Sequence, residues 1–378
     1  MRFVRLEIRK IMSSYAIWGF IALSFAFNVL LILSKGTDGY SDYVADVSVE
    51  TGVYVDKDFN QKLAALTQSD YRERLTCETA GLKDVFNGYN AEEIAEAYIH
   101  ALHLSGNTAE DMREKYAVLQ NSVNEKAERG DSLSLYFAGS TYEQHKKLFG
   151  SLMTALCREG VLIAVLTMLL VLGHEHIHRT EQVVYTAKSG RRIVTKKCIA
   201  AMLAGFGAYL LLTAFTLALY FALNDYGGVW GSNVSSGFNA IQDIVTGFRP
   251  FVTWNSFTVF TYLLATIGIS LGIMFCFSLV GFVAGTSIRN SYIAFLTVFM
   301  VSILFVAIPM ILPGNTYAMF VFTLTPVWLL LKQPLWFTDG GMDVLWQHFE
   351  TMGVCLSLAL LLLFAVIAFH KFRKKDIL

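Results

Sequence analysis

The chain has 378 residues, 54% of them hydrophobic and only 16% charged, with a mean hydropathy of +0.49. This excludes an ordinary soluble domain and a disordered chain, and points to a membrane protein carrying a polar portion. The net charge of zero hides a segregation: residues 36–147 hold 20 acidic and 11 basic side chains, whereas the segments read below as cytoplasmic are basic.

Arg2, Arg5 and Arg9 fall on one face of a helix and Val4, Ile8 and Ile11 on another, the pattern of a basic amphipathic segment lying in the membrane interface (residues 1–14). Tyr15 to Leu33 follows without a charge and is long enough to span, giving a first membrane helix over 15–34. Ser34-Lys35-Gly36 offers no small-x-small cleavage site, so the helix reads as retained rather than as a signal peptide.

Residues 35–147 read as a polar, mainly helical domain outside the membrane. Asn90 with Glu93 and Asn107 with Glu110 mark helix starts, because a capping side chain followed three residues later by Glu satisfies orphan amides. Tyr43 to Val55 alternates loosely in Val, which predicts a short strand or hairpin. The acidic excess reads as a solvated surface or as a lure for cationic peptides.

Helix 2 has a charge-free part, Gly160 to Gly173, that is too short to cross alone, so it must include Arg158 and Glu159. Near a helix end both can snorkel to the headgroups; facing the interior they would line a cargo path. Helix 3 covers Cys198 to Leu223, and an outer loop follows in which Phe238 to Phe248 is expected to form a short interfacial helix. Helix 4 lies within Thr258 to Ala284. Gly268 with Gly272 and Gly281 with Gly285 form G-x-x-x-G pairs suited to close helix packing, within the chain or between two copies. Helix 5 is Ser291 to Leu312. The apolar stretch Tyr317 to Leu331, broken by Pro326, would throw the basic C-terminus outside if it spanned, so residues 315–349 read as an outer re-entrant region with Trp328, Trp336 and Trp346 in an aromatic belt. Helix 6 is Thr351 to Phe369.

The loop between helices 2 and 3, residues 174–197, carries Arg179, Lys188, Arg191, Arg192, Lys196 and Lys197 against Glu175 and Glu181. Short basic loops stay in the cytoplasm, and this one orients the chain. His174, Glu175 and His178 also spell H-E-x-x-H, which on a helix places two imidazoles for zinc with the carboxylate as general base. An intramembrane zinc metalloprotease needs a third ligand at the same depth. The comparable element, Asp339-Gly340, falls in the outer loop, so no metal site and no catalytic residues are expected. The five cysteines, at 77, 157, 198, 276 and 355, are scattered and suggest neither a disulfide framework nor a metal site.

The loop resembles the first cytoplasmic loop of type-2 ATP-binding-cassette (ABC) transporter permeases, through Glu175, Thr180, the Gly190-Arg191 pair and Lys197, with Arg179 where that family has Gly. The amphipathic start resembles its elbow helix, and the broken segment after helix 5 its outer re-entrant helices. The resemblance implies an all-α polytopic membrane protein of six transmembrane helices with both termini cytoplasmic and residues 148–378 forming helices 2–6. It further implies coupling to a cytoplasmic ATPase through Glu175, Thr180, Glu181, Gly190, Arg191 and Lys197, and pairing with a second permease subunit. No G-x-x-x-x-G-K-[ST] occurs, so ATP and Mg would be bound by the partner ATPase. The expected function is export of an antimicrobial peptide, drug or other amphipathic cargo across a bacterial cell membrane, with a link to antibiotic resistance. Other readings are a peptide-sensing membrane protein without transport and a secondary transporter, although the spans lack the midplane charges of the latter. Nucleic-acid binding has no support, since every basic cluster serves membrane orientation.

Overall fold

The computed structural model describes residues 2–34, 39–52, 55, 57–79, 86–129, 144–178, 180, 184, 190, 193–224, 226, 230–314 and 316–374. It is a helical membrane protein: among the described residues six helices are long and apolar enough to cross a bilayer. The short α1 (Arg2–Met12) precedes the first of them, α2 (Tyr15–Leu33). The others are α8 (Met153–Ile177), preceded by a π-helical run Lys146–Leu152, α9 (Ile193–Leu223), α10 (Val259–Ser287), α11 (Ser291–Ile311) and α14 (Phe349–Lys374). Between α2 and α8 the described residues of the polar domain form α3 (Gly39–Thr51), α4 (Lys57–Ala65), α5 (Asp70–Thr79), α6 (Ala91–Leu102) and α7 (Asn107–Arg129).

Local chemistry sets the boundaries. Thr258 and Thr261 close a reciprocal capping box on α10, and the Asn290 side chain accepts the Tyr292 and Ile293 amides at the start of α11. Asn90 caps α6 by accepting from Glu92 and Glu93 while its own amide reaches the Glu93 carboxylate at 2.9 Å. At α7 the first amides go to the Gly106 carbonyl instead, with Asn107 already inside the helix. Pro326 breaks the stretch after α11 into α12 (Tyr317–Thr323) and α13 (Pro326–Leu331), each only about 10 Å long and too short to span.

Two expectations are corrected. The strand expected from Tyr43 onward is not formed through Thr51: residues 39–51 are α3, because Tyr40, Val44, Val47 and Thr51 recur at helical spacing and bury one face, while Val53 and Tyr54 lie outside the described residues. Phe238 to Phe248 is no helix: β1 (Ser236–Asp243) pairs antiparallel with β2 (Gly247–Phe251). The Asp243 carboxylate accepts the Val245 and Thr246 amides, and Gly247 takes φ +73°, so the turn chemistry outweighs the aromatic spacing.

Adjacent spans alternate in direction, which gives the bundle two ends. One carries the polar domain, the hairpin, α12 and α13; the other carries α1, the basic loop and the end of α14. The π-helical run meets the end of α2, where Lys147 Nζ donates to the Ile32 carbonyl at 3.5 Å. Between the ends α8 is the central helix, with 72% of its span buried against 17% for α11. A Cβ on Gly281 would come within 3.3 Å of Met168, on Gly285 within 2.8 Å of Leu172, and on Gly272 within 2.8 Å of Val354, whereas Gly268 faces nothing. Three of the four glycines therefore serve packing inside the chain. We expect Gly272→Leu and Gly285→Leu each to cost about 1–3 kcal/mol through overpacking and to lower the thermal midpoint in detergent, with Gly268→Leu close to wild type.

Candidate functional site

The basic loop is held at both of its roots by one buried ion pair. Glu175, on the last turn of α8, faces inward, and so does Lys197 on the first turns of α9; their side chains bond to each other, and Lys197 Nζ also reaches the Val171 carbonyl at 3.3 Å. Lys197 is 1% exposed and Glu175 4%. Breaking such a pair from one side leaves an uncompensated buried charge. Thr180 is exposed and continues the turn through its amide to the Glu175 carbonyl at 2.9 Å, and Gly190 takes φ +48°. Glu181 and Arg191 lie outside the described residues. α1 packs against α9 and buries Ile11.

The zinc alternative fares differently. The His174 and His178 rings lie 4.3 Å apart between centroids, but Glu175, which would be the general base, is committed to Lys197. Asp339 sits at the opposite end of the bundle. Gln333, near it in sequence, bonds to Thr154 on α8, and His174 lies about 30 Å further along that helix. Among the described residues no three His, Cys, Asp or Glu side chains gather to hold an ion.

Arg158 and Glu159 part company. Glu159 is buried and accepts a hydrogen bond from Asn28 Nδ2 of α2 at 2.9 Å, with Thr216 of α9 beyond at 3.4 Å. Arg158 is exposed and makes no hydrogen bond or ion pair among the described residues. Both line a cleft of about 660 Å³ between α2 and α8. Sequence reading passed over Asn28, although Ser24 and Asn28, one turn apart in an otherwise apolar span, mark a polar face.

A second unforeseen group pins the polar domain to the bundle. Arg249 Nη2 of β2 donates to both Asp339 oxygens at 2.9 and 2.7 Å, Tyr116 of α7 donates to the same carboxylate, and Lys115 Nζ donates to the Val344 carbonyl at 2.7 Å. Burial alone would raise the Asp339 carboxyl, but Arg249, then Lys115, outweigh it and hold it at about 2. Burial pulls the Lys115 ammonium down to about 7 against the opposing pull of Asp339.

These shifts fix the sign of a pH response. Between about 7 and 10.5 the unfolded chain holds a Lys115 proton that the folded chain releases, so stability rises with pH across that window. The Asp339 contribution is present above about 4 and is lost as pH falls towards 2. The thermal midpoint of the polar domain should thus rise from pH 7 to about pH 9, and Lys115→Met should remove that rise. Arg249→Met should cost about 3–5 kcal/mol, most of it recovered in the Arg249→Met, Asp339→Leu double variant. No protein family, curated protein or solved structure matches the chain, so its activity has to follow from these contacts.

Proposed function

We propose that the chain is the membrane-spanning permease subunit of an ATP-driven exporter. Its termini and residues 174–197 lie in the cytoplasm, and residues 35–147 form an extracellular domain. The observation that carries this reading is the Glu175–Lys197 pair. A loop that only connected two spans would need no buried ion pair at its roots. One that receives a push from a partner does, because the pair makes the ends of α8 and α9 move together. Glu175 and Lys197 then anchor the loop from inside, while Thr180, Glu181, Gly190 and Arg191 meet a separate cytoplasmic ATPase, where charge sets register more than affinity.

The orientation is supported by charge. Arg5, Arg9 and Lys10 of α1, the loop, and Lys371, Arg373 and Lys374 of α14 all lie at one end of the bundle, as the positive-inside rule requires of a cytoplasmic face. A second permease subunit would complete the transporter and ATP with Mg would be held by its ATPases. The cargo is an amphipathic molecule, such as a peptide antibiotic, moved out of a bacterial cell.

Charge exchange tests the carrying observation. Glu175→Lys and Lys197→Glu should each reduce ATP-dependent transport at least about tenfold while the partner ATPase still turns over, and the exchanged double variant should regain much of it. Normal transport by either single variant would contradict the coupling role. Topology is tested separately. Cysteines introduced near Asn90 and Gly231 should react with an impermeant reagent from outside, and those at Ser189 and Lys374 only after permeabilisation. External reaction at Lys374 would overturn the plan.

A further inference from the structure

We infer that the cleft between α2 and α8 is a binding site for a phospholipid with a primary-ammonium headgroup, Glu159 taking the ammonium and Arg158 the phosphate. The inference rests on the spans lying in a bilayer and not on ATP-driven export.

Two opposite charges, one residue apart, are left unmatched at this place. Glu159 is buried, and its hydrogen bonds come from neutral groups, the Asn28 amide and the Ser24 hydroxyl, with no cation paired to it among the described residues. Arg158 is exposed on the same span without an anion among those residues. They cannot neutralise each other, because successive side chains on a helix diverge by about 100°. An ionised group inside a span is costly unless a counter-charge reaches it, so both demand partners from outside the chain. Both also line the same cleft, whose wall is mostly apolar, with Phe20, Leu23, Phe27 and Leu31 of α2 and Leu162 of α8 beside the hydroxyls of Ser24, Ser151 and Thr154.

Depth and chemistry select the occupant. Asn28 stands about 8 Å below the end of α2, just under the headgroup level of a bilayer, and the Arg158 side chain is long enough to reach upward from there. A guanidinium grips phosphate through two parallel hydrogen bonds. An ethanolamine headgroup carries its ammonium a short link from that phosphate and offers three N–H donors to the Glu159 carboxylate. A choline headgroup has the same charges but no N–H, and a glycerol headgroup has the phosphate alone. The acyl chains would run down the apolar wall.

The test uses the full chain purified in mild detergent and offered ethanolamine, choline and glycerol phospholipids of identical chains, with bound lipid counted by native mass spectrometry. Wild type should retain the ethanolamine lipid about tenfold over the choline lipid, the discrimination expected of a charge-assisted hydrogen bond. Glu159→Gln, which still accepts from Asn28, should bring that ratio near one, and Arg158→Ala should weaken retention of all three. Leu162→Trp, which fills the cleft without touching either charge, should also lower ethanolamine-lipid retention, and it decides the matter should Glu159→Gln fail to fold. Equal retention of the three lipids by wild type, an ethanolamine preference that survives Glu159→Gln, or undiminished ethanolamine-lipid retention in Leu162→Trp would overturn the assignment. No ATPase is present in this experiment, so its failure and a failure of the export reading are separable.

Discussion

The hydrocarbon of a bilayer offers no partner to an amide, a hydroxyl or a charge, and most of this structure follows from that constraint. Hydroxyls inside the spans turn back on their own helices: Thr167 donates to the Ile163 carbonyl, Thr266 to Tyr262 and Ser270 to Thr266, each at 2.8 Å. Of the buried charged groups on α8, Glu175 finds Lys197 and Glu159 finds the Asn28 amide. Since lipid tails are as apolar as the helices, the spans associate through close packing. That is why Gly281 and Gly285 of α10 lie against Met168 and Leu172 of α8.

α8 joins the parts that matter. Its first turns border the cleft beside α2 and carry Arg158 and Glu159, its middle packs against the α10 glycines, and its last turn holds Glu175. The ion pair ties the end of α8 to the start of α9, and α8 runs without a break from that pair to the cleft. At the other end the polar domain is fastened by Arg249, Asp339, Tyr116 and Lys115, whose buried mutual contacts resist sliding.

The spans were legible in the sequence because uninterrupted apolar length is a strong, local signal, and Pro326 announced the broken segment after α11. Caps such as Asn90 were legible for the same reason. Tyr43 to Val55 misled because valines favour strands, while the helical spacing of Tyr40, Val44 and Val47 was the better guide to what is buried. Phe238 to Phe248 misled because Asp243 and Gly247 were not weighed as a turn. The loop resemblance singled out both Glu175 and Lys197 but not their contact, which places Glu175 inside the bundle rather than on a docking surface. Arg249 and Asp339 are 90 residues apart with no local pattern to link them, so their pairing becomes visible only in the fold. The different fates of Arg158 and Glu159 likewise depend on where Asn28 of another helix lies.

The central claim is that the chain conducts cargo under the drive of a separate ATPase. The most direct measurement is to isolate it from native membranes in mild detergent, identify what accompanies it, and assay ATP turnover and bound metal with and without that companion. The account predicts a nucleotide-hydrolysing subunit in near-equal amount and no turnover by the chain alone, in keeping with its lack of a phosphate-binding loop. ATP turnover by the isolated chain, or stoichiometric zinc that disappears when His174 and His178 are both replaced by Ala, would contradict it.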